Sequence, residues 1–181
     1  MSHLPLVNPE QTSGSHKELF EQINGAFGVV PNMFKTIGNS EAALESMWTS
    51  FGALGKGKLG AQLGEQIAVL IADLNRCEYC LAAHTLLGQK AGVSEQDMAA
   101  AQAGRSSDPK TQAALDFAAK IVKDRAGISK ADVEAVRAAG FSDEDIAEIL
   151  AHVALNIFTN YTNVAFDVPV DFPKVGLRNA A

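Results

Sequence analysis

The chain has 181 residues, 47% of them apolar, with 15 Lys plus Arg against 21 Asp plus Glu and a formal charge of −6. That length suits one globular domain spanning 1–181. The composition is too apolar for a disordered chain, and the charge is wrong for a general nucleic-acid binder. No apolar run reaches the roughly 18 residues that cross a bilayer, because Glu65, Asp73, Glu148 and His152 interrupt the two best candidates, and the first five residues lack a basic segment followed by an apolar one. A cytoplasmic protein with no nucleic-acid or membrane partner is expected.

Helical spacing runs through the whole sequence and no alternating apolar–polar stretch marks a hairpin, so the expected class is all-α. Ser15 to Glu18 has capping-box spacing and predicts a short helix ending near Gly25 or Gly28. Pro31 lies in a predicted turn. Ser40 is placed to cap a helix through Leu44, Met47, Trp48 and Phe51, residues whose spacing marks core or interface. Glycines 52, 55, 57 and 60 predict an irregular connection. The most apolar helix follows, from Ala61 to Leu74, and Asn75-Arg76 interrupts it before a second helix from near Cys77 to Lys90, stopped at Gly92. Further helices are expected to start at Ser94, Pro109 and Ser129. A long one starts at Ser142, where Asp143, Glu144 and Asp145 suit the positive end of its dipole. The tail with Pro169 and Pro173 is expected to be extended.

Chemistry concentrates in one place. The only two cysteines stand as Cys77-Glu78-Tyr79-Cys80, with His84 four residues on. On one helix these three side chains share a face, and Cα atoms three apart lie about 5 Å from each other, within disulfide range. A bridge closing so short a loop restrains little chain entropy. In a reducing compartment, such a pair points to redox or metal chemistry. A closed zinc site wants four ligands, and only Cys77, Cys80 and His84 are local. If the two helices fold back about Asn75, Glu65 faces His84. A thiolate, a resolving thiol, a histidine and a carboxylate are the parts of a dithiol peroxidase. The histidine one turn after Cys80 favours Cys80 as the attacking thiol and Cys77 as the resolving one. His152, in an apolar helix, reads as a packed or interface histidine. Tyr161, Asn160 and Asn163 read as helix-end caps or subunit-boundary groups.

The pattern Glu65-x11-Cys77-x2-Cys80-x3-His84, within EQIAVLIADLNRCEYCLAAH, resembles the AhpD-like (alkylhydroperoxidase D-like), peroxidase-related branch of the carboxymuconolactone decarboxylase superfamily. FGVVPNMFKTIGNSEAALESM (27–47) and ALNIFTNYTNVAFDVPVDFP (154–173) resemble the flanking segments of those proteins, around a motif core of about 59–91. The resemblance implies a helical bundle that assembles as trimers or hexamers. It also implies hydroperoxide reduction with no metal or other cofactor, and re-reduction by a dithiol such as a lipoylated protein carries. Matched positions imply Cys77 and Cys80 as the redox pair and Glu65 and His84 as the proton relay. Three other functions compete with this one. An acid–base lyase or isomerase would use Glu65 and His84 and survive loss of the cysteines. A redox sensor would oxidise slowly and change its assembly. A metal-binding protein would lose its metal when His84 is replaced.

Overall fold

The most apolar segment of the chain lies at the centre of the fold. The computed structural model describes residues 2–178. Its described helices are α1 Gly14–Phe27, α2 Asn32–Ile37, α3 Glu41–Leu54, α4 Gly60–Leu74, α5 Glu78–Lys90, α6 Glu95–Gln102, α7 Pro109–Lys123, α8 Lys130–Ala138 and α9 Asp143–Ala165. No strand occurs among the described residues. Helix α4 is buried on nearly every side and packs against α5, α6, α7 and α9. Ile67, Val69 and Ile71 of α4, with Leu81 of α5, Leu115 of α7 and Ile149 of α9, have no exposed surface. Each such side chain contributes about 1.5–3 kcal/mol relative to exposure.

Most helix starts follow the capping chemistry of the sequence. Ser40, Ser94, Asp108, Ser129 and Ser142 each accept a backbone N–H of the first turn, the last two in full capping boxes. The first helix is an exception. It begins at Gly14, and the Ser15 hydroxyl donates to Glu41 of α3 instead of capping its own helix. Helix α2, six residues after Pro31, was not expected from the pattern. The irregular connection is shorter than the glycines imply, because α3 continues to Leu54 through Gly52. The loop that remains is held by Glu148 of α9, which accepts from the Lys58 and Leu59 N–H groups at 2.8 and 3.2 Å.

The tail has no regular structure, as expected, but it is tied down across the domain. Asp171 accepts the Asn32 N–H at the start of α2 at 2.8 Å, and the Phe172 ring packs edge-on against Tyr79 of α5, 5.5 Å between centroids. Gln102 of α6 donates to Gly176 O and to Asp73 of α4. Asp73 also accepts the Arg178 N–H at 2.9 Å and pairs with its guanidinium at 3.0 Å. Burial pushes the Asp73 carboxyl upward, and these hydrogen bonds and the Arg178 charge outweigh it, so its pKa lies below the ordinary value.

Candidate active site

Helices α4 and α5 form a hairpin around one tight reversal. Arg76 adopts a left-handed backbone at φ 58°, a conformation that costs a non-glycine residue roughly 1 kcal/mol or more. The Cys77 N–H donates back to Ala72 O at 2.8 Å, which locks the turn. Cys77 therefore stands at the start of α5, where the sequence places it. It is the N-cap of α5, and its sulfur accepts the Cys80 N–H at 3.2 Å. Negative charge on sulfur is favoured at this helix end. Cys77 and Cys80 are joined as a disulfide with Cα atoms 5.4 Å apart.

Folding back brings Glu65 to His84. The His84 Nδ1 donates to Glu65 Oε2 at 2.7 Å, with both side chains mostly buried. This fixes the ring and leaves Nε2 as the nitrogen that can exchange a proton. Close approach here requires Gly88: a Cβ at that position would stand 2.5 Å from Met98 atoms and 3.3 Å from Glu65 Cβ.

The disulfide separates two unlike openings. On the Cys80 side is a cavity of about 40 Å³, shared with His84 and walled by Phe27, Met33, Phe34, Phe51, Leu87 and Phe172. That is little more than the liquid volume of one water, roughly 30 Å³. On the Cys77 side is a groove of about 320 Å³ lined by Arg76, Glu78, Asn163, Asp167 and Val170. Tyr79 lines both, with its hydroxyl accepting the Met33 N–H at 3.2 Å. Burial, the largest influence, and the Asp171 carboxylate raise the Tyr79 pKa, so this phenol is a fixed neutral anchor.

Two polar residues given bland roles by the sequence also reach the site. His152 of α9 lines a third cavity, about 160 Å³, together with Glu65 and His84. Its ring lies over Gly64, where a Cβ would come within 3.2 Å of it. Burial lowers the His152 pKa below 6.5, although Glu148 and Glu65 pull it upward. Asn163 donates from Nδ2 to Cys80 Sγ at 3.2 Å, and its Oδ1 is buried without a partner among the described residues. Asn160 accepts from Asn75 at the hairpin reversal. Neither asparagine caps the end of α9. The only sequence signal was polar residues at helical spacing in an otherwise apolar helix. Among the described residues no three His, Cys, Asp or Glu side chains are grouped to hold a metal ion, and no helix is long and apolar enough to cross a membrane.

Residues 42–124 match the carboxymuconolactone decarboxylase family. No curated protein matches the chain. Among solved structures, a peroxidase-related protein from Silicibacter sp. TM1040 is similar at 27% identity over 93% of this chain and 91% of that one, with a TM-score of 0.82. An alkylhydroperoxidase AhpD core, a peroxidase-related protein from Ralstonia eutropha JMP134, shares the fold at 24% identity over 94% and 92%, with a TM-score of 0.84. The debrominase Bmp8, as a cysteine-to-alanine variant with 2,3,4-tribromopyrrole, also shares it at 24% identity over 94% of each chain, with a TM-score of 0.77. The match to the carboxymuconolactone decarboxylase family is thus confined to residues 42–124, and the all-helical fold is the AhpD-like one.

Proposed function

We propose that the chain is a thiol peroxidase that reduces a hydroperoxide through Cys80 and Cys77. The observation that carries this reading is the convergence on one small apolar cavity of Cys80 and a histidine fixed by a carboxylate, with a second thiol in bonding reach. In the reduced protein the Cys80 thiolate attacks the terminal oxygen of ROOH. The S–O bond forms, the O–O bond breaks, and His84 supplies the proton that lets ROH leave. Cys77 then attacks the sulfur of the Cys80 sulfenic acid and expels water, forming the disulfide. Two electrons pass from the thiols to the peroxide, and a dithiol returns them. Glu65 holds the His84 ring through the transfer, and the apolar walls keep bulk water from competing. No step requires a metal or organic cofactor.

The natural setting proposed is a cytoplasmic homo-oligomer, a trimer or hexamer. The exposed apolar row Leu150, Ala154 and Tyr161 on α9 supports self-association, and light scattering reads the mass.

Intact mass of the reduced protein, before and after one equivalent of an organic hydroperoxide, tests the activity. The expected result is loss of two hydrogens mapped to Cys77–Cys80, with Cys80→Ser abolishing peroxide consumption. Free thiols after exposure would reject the reading and leave the acid–base alternative on Glu65 and His84. Normal reaction of Cys80→Ser with one equivalent would reverse the two cysteine roles.

A further inference from the structure

The geometry points to the Cys77 groove as the entry site of the reductant, a dithiol that attacks Cys77 Sγ while Cys80 leaves into its hydrogen bond with Asn163. This deepens the proposed function and rests on its thiol–disulfide exchange, not on the identity of the oxidant.

Both cysteines are almost fully buried, at 1% and 2% exposure. A thiol therefore reaches either sulfur only through an opening that touches it. The opening on Cys80 is the narrower, about 40 Å³ against about 320 Å³ for the groove on Cys77, so a slim terminal peroxide group enters it more readily than a dithiol does. Leaving-group chemistry is compatible with the same direction, because each sulfur has one N–H donor when it departs. Exchange is faster when the departing sulfur is stabilised as a thiolate. Cys80 Sγ receives Asn163 Nδ2–H at 3.2 Å and shares its cavity with His84. Cys77 Sγ accepts a backbone N–H at the N-terminus of α5, which suits it as the thiolate released last.

The exchange balances as follows. A thiolate of the dithiol attacks Cys77 Sγ, a mixed disulfide forms and the Cys77–Cys80 bond breaks. Cys80 departs as a thiolate. The second thiol of the same reductant, deprotonated, then attacks the reductant's own bound sulfur and expels the Cys77 thiolate. The reductant leaves as its disulfide, having given two electrons. The two protons lost by its thiols balance those regained by the cysteines. Peroxide and reductant thus use opposite sides of one disulfide, with Tyr79 part of the wall between them.

The test is a trapped exchange on the full chain, oxidised with diamide. A brief pulse of 2-mercaptoethanol, acid quenching, alkylation and peptide mapping locate the adduct. The expected result is mercaptoethanol on Cys77 and the alkyl group on Cys80, in at least tenfold excess over the reverse. A comparable or reversed distribution overturns the inference. Two filling variants supply a second readout. Val164→Trp narrows the groove and should slow reduction by dithiothreitol at least tenfold, with oxidation of the reduced protein by hydroperoxide within twofold of normal. Leu87→Trp fills the Cys80 cavity and should do the opposite. Equal effects of both variants on both half-reactions also overturn it. If hydroperoxide fails to oxidise the protein while the adduct still maps to Cys77, the peroxidase reading falls and the groove assignment stands.

Discussion

The α4–α5 hairpin and the C-terminal run from Thr159 to Arg178 meet at the same disulfide by different means. In the hairpin, the decisive contacts are local. Cys77 caps Cys80 three residues away, and Glu65 holds His84 nineteen residues away. They follow from helical period and one reversal at Arg76. The C-terminal run acts from far along the chain. Asn163 reaches Cys80 across 83 residues, Asn160 reaches Asn75 across 85, and Arg178 reaches Asp73 across 105. The difference teaches that Cys77, Cys80, His84 and Glu65 are assembled by short-range geometry, while their surroundings (cavity wall, the Asn163 donor and closed tail) depend on tertiary packing.

On that division, substitutions at the sulfurs, His84 or their hydrogen-bond partners lower rate with little loss of stability, and substitutions that untie the tail lower stability with little loss of rate. The largest effect should come from His84→Gln. Loss of a proton-transferring group predicts a roughly 10²–10⁴-fold slower oxidation of the reduced protein by hydroperoxide. Stopped-flow peroxide consumption reads this, and a loss under tenfold would remove His84 from the chemistry. Asn163→Ala tests the junction between the two regions. Deleting a hydrogen bond to a charged sulfur, about 1.5–3 kcal/mol, predicts a fall of roughly 10–100-fold in the rate of disulfide reduction. An unchanged rate would make Asn163 only a packing residue.

The tail prediction concerns stability. Asp73→Asn leaves the groups around Arg178 and Gln102 poorly paired and should cost about 1–3 kcal/mol in urea unfolding, with peroxide reactivity of the folded protein retained. The wild-type advantage should depend on pH with a definite sign. Because the folded pKa of Asp73 is depressed, the contribution is present above the ordinary carboxylate pKa of 3.8 and is lost as pH falls through the lower folded value. An advantage that grew on acidification would contradict the hydrogen-bonded carboxylate. The smallest effect is at His152. NMR should find its imidazole titrating below 6.5, and Gly64→Ala, which crowds the ring, should alter that midpoint with a stability change within about 1 kcal/mol. A midpoint at or above 6.5 would mean that Glu65 and Glu148 dominate burial.

Much was legible before any coordinates. Ser40, Ser94, Ser129 and Ser142 announce helix starts because side-chain capping is a local reaction between neighbouring groups, and Pro109 announces another because its fixed φ suits the first helical position. The apolar face of α4 announces the centre of the bundle. The spacing of Cys77, Cys80 and His84 brings the three residues together because helical period converts sequence distance into spatial distance. The same reasoning placed the start of α5 near Cys77 without specifying that Cys77 is its N-cap. It also missed α2, whose six residues are too few for a period to register.

By itself, then, the sequence determined the helices, the buried centre and the grouping of two thiols, a histidine and a carboxylate, all consequences of interactions within about twenty residues. Only the tertiary structure decided that Asn163 donates to Cys80, that His152 shares a cavity with Glu65 and His84, and that the two sulfurs open onto unlike spaces. Those depend on how α9 and the tail fold back across the α4–α5 hairpin. That return path is set by the summed burial of the core and by contacts such as Asp73 with Arg178, which no local pattern encodes.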